Sequence, residues 1–198
     1  MRPVVVIPTG TANTASVIAA FKRLDAEPIL AADPKSVEEA DRVVLPGVGA
    51  FSPAINRIDQ LGMRDVLTTR IEEGRPTLAI CLGMQLLCTS SEENPDSRGL
   101  GIVPGTVTRF APDLRVPQLG WNMVQPDGVT SLEAGWAYFA NSYKVPNLPE
   151  GWSGATTDYG GSFVSAMERG AVLACQFHPE LSGAWGSSLL RRWLWAEA

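Results

Sequence analysis

Thr77-Leu78-Ala79-Ile80-Cys81-Leu82-Gly83-Met84-Gln85 decides how this chain is read. Pro76 opens a short apolar strand over Thr77 to Ile80, and a helical pattern begins immediately after Cys81. A nucleophile-type residue between strand and helix, with Ala79 two before it and Gly83 two after, matches the nucleophile-elbow pattern; the usual first glycine is Ala79 here. Such a turn pushes the sulfur to the carboxyl edge of a sheet, where open α/β folds bind ligands. The helix N-terminus lends partial positive charge to that edge. The Leu82 N–H, first after the nucleophile, is a candidate oxyanion donor. The competing reading is a buried structural thiol, since free cysteine is among the most buried residue types.

Outward from the elbow, apolar runs alternate with helical patterns. Val4 to Ile7 reads as a buried strand, Pro28 to Ala31 and Arg42 to Leu45 read as further strands, and Thr14 or Ser16 can cap a helix reaching Leu24. Ser52 followed by Pro53 is a good helix start. A further helix, Arg64 to Glu73, stops at Gly74. Strands alternating with helices imply right-handed βαβ units and a mostly parallel sheet. From Gly101 to Cys175 the pieces are short and β-rich: Val103 to Phe110, Trp121 to Val124, Trp136 to Phe139, Gly154 to Tyr159, Phe163 to Met167 and Val172 to Phe177. Several of these should form antiparallel hairpins extending or flanking the first sheet. Ser90 to Arg98 has the composition of an exposed connection, and a helix over Ala184 to Trp195 closes the chain.

His178 is the only histidine among the 198 residues, so any Cys–His chemistry must use it. It lies in Gln176-Phe177-His178-Pro179-Glu180. On an extended segment, residues two apart face the same side, so the Glu180 carboxylate should project beside the imidazole, with Pro179 holding the spacing. A carboxylate there fixes the tautomer and stabilises the imidazolium. Pro46-Gly47-Val48-Gly49-Ala50-Phe51 follows a strand, and its glycines let backbone amides approach a ligand closely, which would supply the second oxyanion donor. The other cysteines read as structural: Cys88 seven residues along the helix of Cys81, and Cys175 inside a core strand.

Composition narrows the function. The 45 % apolar and 19 % charged content is that of a globular protein, and this length suits one domain. A net charge of −5 with no Lys/Arg cluster excludes a nucleic-acid footprint. The four apolar residues before Pro8 are too few for a signal-peptide core, and no run approaches the ~18 residues of a membrane span. The three cysteines are odd in number and lack C-x-x-C spacing, which points to a reducing compartment, the cytoplasm by default, and away from a metal site. Trp121, Trp136, Trp152, Trp185, Trp193 and Trp195 read as core and interface packing.

Together these segments resemble the class I (triad-type) glutamine amidotransferases, most nearly the glutaminase subunits of imidazole glycerol phosphate synthase. The resemblance is carried by residues 46–51, Ile80 to Leu87, Gly99 to Gly105, Gly120-Trp121-Asn122, Tyr138 to Tyr143, Ala155 to Gly160 and residues 176–180. It implies one amidotransferase domain over residues 1–198 with a flavodoxin-like, mostly parallel sheet flanked by helices and antiparallel β extensions in the second half. It also implies Cys81, His178 and Glu180 as a triad; Val48, Gly49 and Leu82 around the oxyanion; and Gly47, Gly49, Gln85, Ser142 and Tyr143 around L-glutamine. A cyclase subunit would be the partner in a heterodimer for histidine biosynthesis, with no cofactor. Departures from the family cluster at the first loop, Pro8 to Asn13, where only Gly10 and Asn13 match, and at Gln118, Asn141 and Leu181, where two histidines and a basic residue are usual. Alternatives are an amidotransferase serving another acceptor, as in vitamin B6 synthesis, and a non-catalytic pseudo-glutaminase.

Overall fold

The computed structural model describes residues 1–10, 14–128 and 130–197. Asn13, one of the matching first-loop positions, lies outside them. Strand β1 (Arg2–Val6) leads to helix α1 (Thr14–Lys22), β2 (Ala26–Leu30), α2 (Pro34–Glu39), β3 (Val43–Leu45), α3 (Phe51–Gln60) and α4 (Arg64–Glu72). Then come β4 (Thr77–Ile80), α5 (Leu82–Leu86) and β5 (Cys88–Ser91). The second half holds β6 (Val103–Arg109), β7 (Gln118–Asp127), β8 (Gly135–Asn141), β9 (Tyr143–Lys144), β10 (Ser153–Asp158), β11 (Ser162–Arg169) and β12 (Val172–Cys175). A 3-10 turn (Pro179–Leu181) and helix α6 (Gly183–Trp195) follow.

Nine strands form the main sheet in the order β2-β1-β3-β4-β12-β11-β10-β7-β8. From β2 to β12 every neighbour is parallel; from β11 to β8 every pairing is antiparallel. This is the expected architecture, with β4 and β12 side by side at its centre. The two buried faces of the sheet each carry an apolar cluster, with Ile7, Leu45, Phe51 and Leu82 on one and Val44, Ile80, Phe139 and Phe177 on the other. Arg70, almost fully buried, ties the sheet's amino edge: its guanidinium donates to the carbonyls of Val37, Ala40, Asp41 and Pro76. Burial, then the neighbouring Arg75 charge, pulls its pKa down to about 10.

Several local expectations are corrected. Cys88 is not helical: α5 ends after five residues, and Cys88 opens β5, which pairs with β6 in a separate three-stranded sheet, β5-β6-β9. The Ser90 to Arg98 stretch is more than a connection. Glu93 Oε2 accepts the Phe51 N–H at 2.8 Å and Asn94 Oδ1 the Ser52 N–H at 3.0 Å. These distant side chains cap α3, whose N-cap position is Ala50, not Ser52. Thr14 is the first residue of α1, so the place before it falls outside the described residues. Helix α2 was not anticipated, although Asp33-Pro34-Lys35-Ser36 makes a complete capping box there. Gly74 ends α4 at φ 70°, as expected.

Candidate active site

Cys81 follows β4 directly, and its backbone sits at φ 53°, ψ −108°, a conformation side chains rarely adopt. The surroundings hold it there: its N–H donates to the Cys175 carbonyl at 2.7 Å, and its own carbonyl accepts the Gln85 N–H. The small residue after the turn has a steric cause, because a Cβ at Gly83 would lie 2.0 Å from the Leu45 carbonyl oxygen. Gly83→Ala is therefore expected to destabilise the fold by about 3 kcal/mol or more, since backbone has to move. Urea denaturation checks this; an unchanged midpoint contradicts it.

His178 reaches the same end of the sheet from β12. Its N–H donates to the Tyr138 carbonyl at 2.9 Å, and its carbonyl accepts the Ser182 hydroxyl at 2.6 Å. Its Nδ1 lies 2.9 Å from Glu180 Oε1, with both side chains buried. The pairing is as expected, but the route differs. β12 ends at Cys175, and the 3-10 turn after His178, not an extended register, folds the carboxylate back onto the ring. The imidazole and the Cys81 side chain line the same cavity, and Cys81 acts on the ring electrostatically. Burial disfavours the imidazolium, but the Cys81 and Glu180 contacts outweigh burial and push its pKa from the usual 6.5 up to about 10.

A group raised in this way stabilises the folded state fully below about pH 6.5, and that contribution is lost as pH climbs through about 10. The lone histidine gives one imidazole NMR signal, which should titrate far above 6.5 and fall in Cys81→Ala. A midpoint at or below 6.5 would contradict this arrangement.

A cavity of ≈ 210 Å³ opens over the sulfur, lined by Val48, Gly49, Cys81, Leu82, Gln85, Glu93, Asn141, Ser142, Tyr143 and His178 among others. Nearly all the anticipated residues meet there. Gly49 takes φ 93°, open to glycine. Glu180 sits behind His178, outside the cavity lining. Gly47 does not line it: an added Cβ would meet Leu82 Cβ at 2.8 Å, so this glycine is a packing contact under the elbow. Leu82 also differs from expectation, because its N–H donates to the Gly47 carbonyl at 3.3 Å. The expected oxyanion donor is already engaged within the protein. The helix behind it, five residues long, is too short for much of a dipole.

Two residues of the site escaped the sequence reading. Gln176 Nε2 lies 3.6 Å from Cys81 Sγ, and its Oε1 accepts from Gln85 Nε2 at 2.9 Å. Gln85 Nε2 also donates to the Tyr143 carbonyl, so one amide joins the elbow helix to the far wall. Glu93 reaches the cavity from the segment after β5. Position two before His178 was a signal for Gln176; nothing local marked Glu93. The other thiols are poor nucleophiles: burial pushes Cys88 up to about 12, and burial with the Glu180 and Cys81 charges holds Cys175 well above the usual thiol range. Among the described residues, no group of three or more His, Cys, Asp or Glu could hold a metal, and no helix is long and apolar enough to cross a membrane.

A strained cysteine at the carboxyl edge of a parallel sheet, sharing a cavity with the imidazole of a His–Glu pair, defines an α/β protein of the thiol-nucleophile class. Residues 5–196 match the family model "Glutamine amidotransferase class-I", and the chain belongs to that family. Imidazole glycerol phosphate synthase subunit HisH of Streptococcus sanguinis is 43 % identical over 95 % of this chain and 93 % of its own length. The corresponding subunit of Geobacter metallireducens is 39 % identical over the whole of both chains. The chloroplastic hisHF protein of Arabidopsis thaliana is 43 % identical over 93 % of this chain, which spans only 33 % of that longer protein. Among solved structures, a glutamine amidotransferase superposes with a TM-score of 0.76 at 22 % identity, over 96 % of this chain and 97 % of the other, a likeness of fold.

Proposed function

We propose that this chain is the glutaminase subunit of an imidazole glycerol phosphate synthase, working through Cys81, His178 and Glu180. The observation that carries the reading is that Cys81 and His178 line one cavity sized for an amino acid, with the Glu180 carboxylate behind the ring, 2.9 Å from Nδ1. Cys81 attacks the side-chain amide carbon of L-glutamine. His178 passes a proton to the departing nitrogen, releasing ammonia and leaving a glutamyl thioester. Water, deprotonated by the same imidazole, then hydrolyses the thioester to glutamate. Glu180 holds the tautomer and offsets the imidazolium charge. The Val48–Gly49 peptide and the Leu82 N–H take the oxyanion once the Gly47 carbonyl releases the latter. Gln85, Ser142 and Tyr143 border the substrate, and the Glu93 carboxylate suits its α-ammonium group.

The partner in this reading is a cyclase subunit, met in the cytoplasm, where three unpaired cysteines persist. Leu119, Trp121 and Leu181 are 67 %, 54 % and 41 % exposed, and Trp121 packs edge-on against Tyr138, whose carbonyl holds His178. This apolar group beside the triad suits a docking face. The length of the plant relative, of which this chain matches a third, agrees with a glutaminase working beside a second catalytic unit. The test is synthesis of the imidazole product by a purified cyclase subunit. Glutamine should support it only when this chain is present, and ammonia should support it without the chain. Stimulation by a different synthase and not by the cyclase would overturn the assignment.

A further inference from the structure

Gln176 meets the Cys81 sulfur from the protein side of the active-site cavity. It is 0 % exposed, follows β12 directly and does not line the cavity. Its N–H donates to the Ser165 carbonyl at 2.8 Å, which fixes its backbone against β11. The preceding carbonyl, of Cys175, accepts the Cys81 N–H, so two adjacent residues hold the nucleophile, one at its backbone and one at its sulfur.

Which end of the Gln176 amide faces the sulfur follows from a chain of contacts that starts at Tyr143. The Tyr143 carbonyl can only accept, and it takes Asn141 Nδ2 at 2.9 Å and Gln85 Nε2 at 3.1 Å. Gln85 therefore presents its amino end, whose second hydrogen goes to Gln176 Oε1 at 2.9 Å. Turning the Gln176 amide over would set two donors against each other at that point. Its Nε2 is thus directed to Sγ, 3.6 Å away. A thiol is a weak acceptor, whereas a thiolate takes a charge-assisted hydrogen bond, so this contact favours the nucleophilic form. Acting from behind the sulfur, it leaves the cavity face free for attack.

We propose that Gln176 holds Cys81 as a thiolate ready to attack, its Nε2–H stabilising the negative sulfur while its carbonyl locks the Gln85 amide. The inference rests on the glutaminase reading only for the role of Cys81. The titratable groups around the sulfur are His178, Glu93 and Tyr143 in the cavity lining, Glu180 behind the ring and Cys175 on β12. All are kept in Gln176→Met, which preserves length and removes the donor. The test is the pH profile of Cys81 alkylation by iodoacetamide, followed on the Cys81 peptide by mass spectrometry. In Gln176→Met its midpoint should lie about one pH unit higher, a tenfold loss of thiolate below the midpoint. A purely structural role for Gln176, through Gln85, would raise the KM for glutamine and leave this profile where it is. Should Gln176→Met fail to fold, NMR of the native chain decides. The Gln176 side-chain amide signal should move with the alkylation midpoint, and that movement should vanish in Cys81→Ala. An unmoved alkylation profile, a static amide signal, or the same movement in Cys81→Ala would overturn the proposal. Alkylation needs no glutamine, so a displaced profile in a chain that never hydrolyses glutamine would reject the glutaminase reading alone.

Discussion

Cys81→Ala should lower glutamine hydrolysis by about 10⁴-fold or more, the scale seen when a covalent nucleophile is removed, while thermal stability changes little. Stability should hold because the backbone at φ 53° is fixed by the Cys81 N–H donating to the Cys175 carbonyl and its carbonyl accepting the Gln85 N–H, neither of which needs the sulfur. The same substitution at Cys88 or Cys175 should leave the chemistry intact, since both thiols are buried and held in the protonated form. Steady-state glutamate release by the three variants, each assayed with the cyclase subunit, separates these cases. Retained turnover in Cys81→Ala would remove the assigned nucleophile, and loss in Cys175→Ala at unchanged stability would move it.

The second large effect concerns the engaged oxyanion donor. With the Leu82 N–H bonded to the Gly47 carbonyl at 3.3 Å, a developing oxyanion meets a carbonyl dipole where it needs a donor. Losing one such donor lowers kcat by about 10² to 10³, so the isolated chain should turn over slowly and gain about that factor when the cyclase frees the N–H. The gain should appear in kcat, because the donor acts on charge that exists only after attack. Titrating cyclase into a glutaminase assay measures it. Full turnover by the chain alone would mean that the Gly47 contact is no barrier.

How much of this was legible in the sequence depended on whether the signal was local. The limits of β4 emerge as read, because Pro76 and the change of period at Cys81 act within a few residues. The elbow was legible for the same reason: Gly83 is small because the Leu45 carbonyl is 2.0 Å from where its Cβ would be. Partner choice for His178 followed from its being alone, but the 3-10 turn that delivers Glu180 was not visible in an i, i+2 pattern. Cys88 read as helical because the apolar run through Leu86 and Leu87 continues the period. Its strand conformation comes from pairing with Val103, which is a tertiary fact. The cap of α3 belongs to Glu93 and Asn94, each 42 positions from the N–H it accepts, so Ser52 looked like a cap with no competitor in sight. The Leu82 donor was rightly located but its occupancy was not, since that depends on which way one loop carbonyl faces.

The most direct measurement of the central claim is covalent labelling. The chain, with its cyclase partner, is treated with a glutamine-mimicking diazoketone and then digested and sequenced by mass spectrometry. One adduct on Cys81, protected by glutamine and reduced in Glu180→Gln, is the expected result. A Cys81 left unmodified while glutamine is still hydrolysed, or an adduct confined to Cys88 or Cys175, would contradict the account.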